Sequence, residues 1–201
     1  SLREAYRARL ETTLIDWSSL WSSCGCPPLP LPSAGTWLAD ALADQRPAAI
    51  VVVDALRYDA AMALAGQVND DEGTSRAVVT PAAAPLPSVT ALGMGLALPM
   101  APDTLQAEFD GSRWHLVDGQ DGLDLSVAEN RRSWWKQRRG VSADGFASVG
   151  AIVTGGAPEP TSARRLLVIT DDLIDKLGHD DQLELVGTGL SVERYRQAIS
   201  R

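Results

Sequence analysis

The apolar residues of this chain fall into segments with two kinds of spacing, and each spacing predicts a secondary structure. Residues 2–21 carry apolar side chains three or four positions apart, which predicts an amphipathic helix. Residues 50–53 and 166–170 are continuous runs of apolar or β-branched residues that end at carboxylates, which predicts strands buried on both faces. We therefore expect an α/β fold with a largely parallel central sheet. Helical spacing recurs in four further segments, residues 37–43, 57–64, 90–98 and 125–139.

The remaining segments are less regular. We expect strands at residues 76–80 and 113–117 and a short helix within residues 102–110. Thr36 is placed to cap the helix at 37–43. Residues 141–161 are rich in Gly, Ala and Pro and show no clear periodicity, while a terminal helix is expected from about residue 191.

The Pro-rich segment at residues 27–32 cannot continue the first helix. We therefore expect residues 1–46 to form a helical arm with a linker, and residues 47–201 to belong to one α/β domain. No apolar run approaches the roughly 18 residues of a membrane span, and the N-terminal residues lack the apolar core of a signal peptide. These features predict a cytoplasmic protein.

The net charge of −8 argues against a surface that binds nucleic acid over its whole extent. Residues 131–139 are a local exception, because five cations surround Trp134 and Trp135. That composition suits stacking on bases and neutralising phosphates. The alternative, which we favour, is a helix whose tryptophans face the core while its basic side chains stay in water. The candidate nucleic-acid contacts are Arg131, Arg132, Arg138 and Arg139.

Asp54 stands directly after the first apolar run, where an α/β sheet binds its ligands. Three familiar kinds of site would need other residues next to it. A haloacid-dehalogenase phosphatase would have a second Asp at the position of Leu56, and a metal-dependent adhesion site would have Ser in place of Leu56 and Tyr58. A dinucleotide fold would have a Gly-rich turn, which does not follow this strand. Asp54 remains a candidate metal ligand.

Two further segments carry candidate chemistry. Thr90 lies at the start of a predicted helix, where a hydroxyl can act as a nucleophile favoured by the helix dipole or simply as a cap. Asp175 and His179 are four residues apart, so on a helix they share a face and can bind one cation, or they form a surface pair. His115 lies in a predicted strand, and we expect it to be structural.

These three elements resemble the PglZ-type domain of the alkaline phosphatase superfamily in their order and context. The similarity rests on strand-Asp54-Ala-Leu-Arg57-Tyr, on Leu-Pro-Ser-Val-Thr90-Ala-Leu-Gly-Met and on Ile-Asp175-Lys-Leu-Gly-His179, and it covers residues 47–179. It implies a three-layer α/β/α fold, with residues 47–201 as the N-terminal part of the domain, incomplete at the C-terminus.

The resemblance also implies a phosphate- or sulfate-ester hydrolase framework with two metal ions, usually zinc. Asp54 would bind one metal, Asp175 with His179 would bind the other, and Thr90 would be the nucleophile between them. Arg57 is a candidate for holding a substrate phosphate oxygen, and the alternative, which we favour, is that it pairs with a local acid. The superfamily supplies further Asp and His ligands from later segments, but no histidine follows His179. We therefore expect a truncated piece that is inactive and binds zinc weakly or not at all, since zinc usually has three or four protein ligands.

PglZ-type proteins belong to the Pgl and BREX systems of bacterial phage defence, beside a methyltransferase and ATPase-like partners. The resemblance thus leaves three functions open. The first is a metal-dependent phosphoesterase of unknown substrate. The others are a catalytically silent scaffold of the defence complex and a nucleic-acid-contacting module.

Overall fold

The computed structural model describes residues 2–25, 30–44, 46–70, 76–84, 88–156 and 165–179. The chain divides into two compact units, Ser1–Pro32 and Ser33–Arg201. The first unit contains helix α1 (Leu2–Ser23), as the apolar spacing predicts. Trp17 and Trp21, one turn apart, stack with their ring centroids 5.4 Å apart. No helix in the described ranges is long and apolar enough to cross a bilayer.

The second unit alternates helices and strands, which is the pattern of an α/β domain. Its elements in chain order are α2 (Ala34–Ala41), β1 (Ala48–Val53), α3 (Tyr58–Asp70), α4 (Thr90–Leu96), β2 (Leu105–Phe109), β3 (Trp114–Asp118), α5 (Ala128–Arg139), β4 (Phe146–Ser148), α6 (Val149–Val153), β5 (Leu166–Asp171) and α7 (Leu173–His179).

Strands β1, β5 and β4 form a parallel sheet in that order. Val53 is opposite Asp171 in the β1–β5 register, and Ser148 is opposite Thr170 in the β4–β5 register. The carboxyl ends of the three strands therefore meet at one edge. Strands β2 and β3 form a separate antiparallel pair. The predicted largely parallel sheet is confirmed.

Helices cover both faces of this sheet. Val168 and Ile169 are neighbours on β5, so their side chains point to opposite faces, and both are buried. Val168 packs in a cluster with Leu92 of α4 and Trp135 of α5. Ile169 packs in a second cluster with Ile152 of α6, against which Ile174 of α7 also packs. The three-layer α/β/α architecture follows from these two clusters.

The prediction that residues 50–53 are buried on both faces is wrong. Within β1 only Ile50 is buried, and Val51 is 41% exposed. The physical reason is position, because β1 lies at the edge of the sheet as far as the structure describes it. The inner strand β5 carries the two-sided burial instead.

Three other local predictions differ from the structure. Residues 76–80 do not form a strand, because the side-chain amide of Asn69 takes both backbone groups of Ala77 through bonds of 2.7 and 3.0 Å. The cap of α2 is Ser33, whose hydroxyl accepts a hydrogen bond from the Thr36 backbone. The expected helix at 102–110 is a single 3-10 turn followed by β2, whose residues alternate between apolar and polar.

The irregular stretch at residues 141–161 contains β4 and α6, which its composition conceals. The helix expected from residue 191 lies outside the described residues.

Candidate active site

A cleft of about 830 Å³ opens at the carboxyl edge of the parallel sheet. Asp54 at the end of β1, Thr90 at the start of α4 and Asp175 in α7 all line it. The strand ends supply Ser148 and Thr170. The fold thus brings to one cleft three of the residues predicted for the metal centre and the nucleophile, although they are far apart in the sequence.

Asp54 is placed by the end of β1 and by an unusual turn after it. Its backbone N–H continues the β1–β5 pairing by donating to the carbonyl of Asp171 at 2.9 Å. The next residue, Ala55, has a left-handed backbone with φ of 59°. That conformation costs a residue with a Cβ about 1–2 kcal/mol, and such strain concentrates at functional sites. Asp54 therefore lies between the last hydrogen bond of the β1–β5 pairing and a left-handed turn, and it lines the cleft.

The electrostatic environment of Asp54 is crowded with negative charge. Burial raises the pKa of Asp54 above its ordinary value, and the carboxylates of Asp175 and Asp172 raise it further. The backbone N–H of Ala55 and the guanidinium of Arg131 act in the opposite direction. A cation placed between the carboxylates would relieve this repulsion.

The donor set can be compared with the metal centre that the resemblance implies. Carboxylate oxygens are suitable ligands for divalent cations, and Asp54 and Asp175 share the cleft. The side chain of His179 lies outside the described residues. Among the residues that the structure does describe, no group of three or more His, Cys, Asp or Glu side chains is arranged to hold a metal ion. Carboxylate and imidazole side chains are the right type of ligand for a divalent cation. The described part of the chain supplies two of the three predicted ligands, Asp54 and Asp175.

Thr90 is the first helical residue of α4, and it is exposed. The N-cap position belongs to Val89, and no side-chain cap bond closes this helix end in the described part of the chain. The alternative in which Thr90 serves as the helix cap is therefore wrong. Helix α4 is firmly packed behind Thr90, because Leu92 is 1% exposed and Gly95 lies against Leu116.

Helix α5 also lines the cleft and contributes two arginines and the carboxylate of Glu129 to it. Ala128, Arg131, Arg132 and Trp135 line the cleft, and their spacing of three and four residues places them on one helical face. Arg131 donates from Nη1 to the carbonyls of Leu125 at 3.0 Å and Ser126 at 2.9 Å. Burial lowers the pKa of Arg131, and the Asp54 carboxylate opposes that effect. Arg131 thus holds a tethered positive charge near Asp54.

The comparison with known families decides the identity of this fold. The family model described as the BREX system PglZ alkaline phosphatase-like domain matches residues 36–198. The chain belongs to the PglZ family. The matched residues include every candidate site residue, and the predicted resemblance is confirmed. No curated protein and no solved structure matches the chain.

Two further arginines of α5, Arg138 and Arg139, contact residues that are not among the described residues of the cleft wall in this PglZ domain. Trp134 and Trp135 are buried, so the prediction that the tryptophans face the core is confirmed. Arg138 pairs with Asp121 at 3.1 Å and lies 3.8 Å from the buried Asp118. Arg139 donates to the carbonyl of Pro99. Contact of the four arginines with nucleic acid stays a prediction.

Arg57 lies apart from this cleft. It is exposed and donates from Nε to Asp59 at 3.0 Å, and it is absent from the described residues of the cleft wall. Its role in substrate binding stays a prediction. The sequence predicts Arg131 and Arg132 as nucleic-acid contacts and does not predict that they line the cleft of the PglZ domain. The pattern that could have indicated their place in the cleft is their spacing from Trp135 by three and four residues, which puts all three on one face of the helix.

Proposed function

We propose that this PglZ domain is a metal-dependent phosphoesterase of a BREX-type phage-defence system, with Thr90 as its nucleophile. The observation that supports the proposal most is the cleft itself, because Asp54, Thr90 and Asp175 are all among its lining residues. This is the edge at which open parallel sheets bind their ligands. A packing role alone would give no reason for a hydroxyl and two carboxylates to meet there.

Asp54 would hold one divalent cation, and Asp175 with His179 would hold the second. The like charges around Asp54 support this assignment, because a bound cation would neutralise them. When bound, two divalent cations neutralise phosphoryl oxygens and favour the deprotonated nucleophile. Zinc is the cation we propose, since carboxylate and imidazole ligands suit it.

The chain's own groups would then act in a fixed order. Thr90 Oγ would attack phosphorus as the bond to the ester oxygen breaks, giving phosphothreonine and the free alcohol. Water would attack the phosphothreonine, releasing phosphate and regenerating the hydroxyl. The tethered Arg131 would keep a positive charge beside the carboxylates throughout, without moving to meet the substrate.

A second candidate function is a scaffold of the defence complex. Helix α1 favours it, because Tyr6, Leu14 and Leu20 are each more than half exposed. Apolar side chains along one exposed helix suit contact with another protein. The partners we propose are the methyltransferase and ATPase-like components of the same system.

Hydrolysis by the full-length protein tests the phosphoesterase proposal. With zinc or manganese present, we expect turnover of p-nitrophenyl phosphate or bis(p-nitrophenyl) phosphate, and a loss of at least about a thousandfold in Thr90→Ala. Thr80→Ala is the matched control, since Thr80 is exposed and is not among the described residues of the cleft wall. Equal rates of hydrolysis for wild type and Thr90→Ala would rule out Thr90 as the nucleophile. A Thr90→Ala protein that lost hydrolysis but retained its partners in a pull-down would separate the enzyme from the scaffold.

A further inference from the structure

One aromatic ring in the cleft is covered by a planar cation. Phe146, the first residue of β4, lines the cleft, and the guanidinium carbon of Arg132 lies 4.6 Å from its ring centroid. Arg132 is exposed and also lines the cleft, so a ligand in the cleft can reach its side chain. We name this pair the Arg132–Phe146 ledge.

The backbones that carry the two residues of the ledge are fixed by the fold. Trp134 and Trp135, the two residues after Ser133 on α5, are buried in the core. Phe146 is fixed by the register of β4, where it lies opposite Val168. A ligand that binds there therefore need not order the backbone of either residue, which lowers the entropic cost of binding.

The cleft is larger and less polar than a phosphoryl group requires. Its volume of about 830 Å³ falls in the range of sites that hold an organic ligand of drug size. Met94, Leu98 and Trp135 give it an apolar wall beside the ledge. The cleft therefore has room for a sizeable organic group beside a phosphate.

We propose that the Arg132–Phe146 ledge stacks the nucleobase of a nucleotide substrate whose phosphate lies at Thr90. The proposal rests on the proposed function and names its substrate class. A guanidinium is planar and delocalised, and it stacks both on aromatic side chains and on nucleobases. The base would complete a three-layer stack with Arg132 between it and Phe146.

Paired substrates that differ only in the base test this ledge in the full-length protein with zinc. Adenosine 5′-monophosphate and ribose 5-phosphate release phosphate from the same kind of primary alcohol. We expect kcat/KM to be about ten- to a hundredfold higher for the nucleotide, which is the range that stacking of one base provides. A ratio near one for the wild-type protein would overturn the proposal.

Variants separate stacking from charge. Arg132→Ala and Arg132→Lys should both reduce the ratio towards one, because lysine keeps the charge and lacks the plane. If Arg132→Ala slowed both substrates equally and Arg132→Lys restored both, Arg132 would be a phosphate contact and the ledge would be refuted. Lys136→Ala is the matched control, since the Lys136 ammonium lies 6.0 Å from the same ring but does not line the cleft. It should keep the wild-type ratio.

Phe146 also packs against the core, so Phe146→Leu is preferable to Phe146→Ala. We expect Phe146→Leu to keep the folded state, verified by circular dichroism, and to reduce the ratio.

Binding of adenosine, measured by calorimetry against ribose, gives a readout that does not depend on hydrolysis. If no ester were hydrolysed but adenosine bound and Arg132→Lys weakened it, the ledge would stand and the enzyme proposal would fall. If hydrolysis depended on Thr90 but kcat/KM were the same with and without the base, and adenosine did not bind, the enzyme proposal would stand and the ledge would be refuted.

Discussion

The backbone N–H of Asp54 donates a 2.9 Å hydrogen bond to the carbonyl of Asp171. This bond carries the β1–β5 pairing one residue beyond Val53, the last residue of β1. The two strands therefore end at the same level, and the carboxylate of Asp54 comes near Asp172 and Asp175. These carboxylates repel one another, and a cation bound between them would remove that repulsion.

Zinc should stabilise the full-length protein through Asp54. For a ligand that binds only the folded state, the gain is about 2.7 kcal/mol at a concentration a hundred times Kd. We expect the wild-type Tm to rise when zinc replaces a chelator, and Asp54→Asn to lose most of that rise. With the chelator present, Asp54→Asn should unfold no earlier than wild type, because an amide removes one like charge near Asp175.

Asp59→Asn is the control for the zinc experiment, since Asp59 is exposed, pairs with Arg57 and is not among the described residues of the cleft wall. It should keep the wild-type response to zinc. A full zinc response in Asp54→Asn would remove Asp54 from the ligand set.

Two glycines of α4 should respond oppositely to alanine. A Cβ at Gly95 would lie 2.5 Å from Leu116 Cδ2 and 3.2 Å from the Leu125 carbonyl oxygen, whereas a Cβ at Gly93 meets nothing within 4 Å. Gly95→Ala should lower the free energy of unfolding by about 1–3 kcal/mol through overpacking. Gly93→Ala should leave it unchanged or raise it by up to about 1 kcal/mol, because alanine favours the helix. Urea denaturation measures both, and equal losses would contradict the packing of α4.

The strained turn after Asp54 can be relieved. Ala55→Gly should raise the free energy of unfolding by up to about 1 kcal/mol, because the left-handed conformation no longer meets a Cβ, while glycine loses about 0.5–1 kcal/mol in chain entropy. Ala63→Gly, at an exposed position inside α3, should instead cost about 1 kcal/mol. Urea denaturation compares them, and a similar loss in both variants would show that the turn at Ala55 holds no strain.

The β2–β3 hairpin should be sensitive to pH through His115. Its Nε2 lies 2.9 Å from Asp110 Oδ2 and its Nδ1 lies 2.8 Å from Asp124 Oδ2. The hydrogen bond with Asp110, and then that with Asp124, raises the pKa of His115. The stabilisation is therefore complete below the unfolded pKa of about 6.5 and is lost as pH rises through the folded pKa.

The carboxylates of Asp110 and Asp124 determine the pH below which this hydrogen-bond network loses its stabilising effect. Burial opposes ionisation of Asp124, but hydrogen bonds with Ser126 and His115 outweigh it and hold its pKa at about 2. The hydrogen bond with His115 lowers the pKa of Asp110 in the same way. Their contribution is present above their unfolded pKa near 3.9 and is lost as pH falls through the folded values. The difference in Tm between wild type and His115→Gln should be largest between about pH 4 and 6.5. A difference independent of pH would contradict the network.

The sequence predicts the elements that packing determines. The apolar runs ending at Asp54 and Asp171 predict two neighbouring strand ends, and the structure pairs them in parallel. The spacing of Trp134 and Trp135 within a basic segment predicts a helix that buries its indoles. In both cases many side chains contribute to one pattern, so no single residue can overturn it.

Elements that depend on one side chain are not predictable in this way. Asn69 occupies the backbone groups of Ala77 and prevents a strand that the Val-Val sequence favours. The strand β4 has three residues, fewer than any periodicity can mark, yet Phe146 and Ser148 both reach the cleft from it. The cleft wall therefore includes residues whose function no pattern in the sequence indicates.

The pairing of β1 with β5 has a consequence for synthesis of the chain. Ala48 pairs with Leu166, and α3 to α6 lie between them. Contacts so distant in sequence form slowly, because a long loop must close first. A ribosome that has completed α4 has already made Asp54 and Thr90 but not Asp175. The cleft of the nascent domain is therefore incomplete until β5 and α7 emerge, because Asp171, Asp172 and Asp175 are the last of its described lining residues to be synthesised.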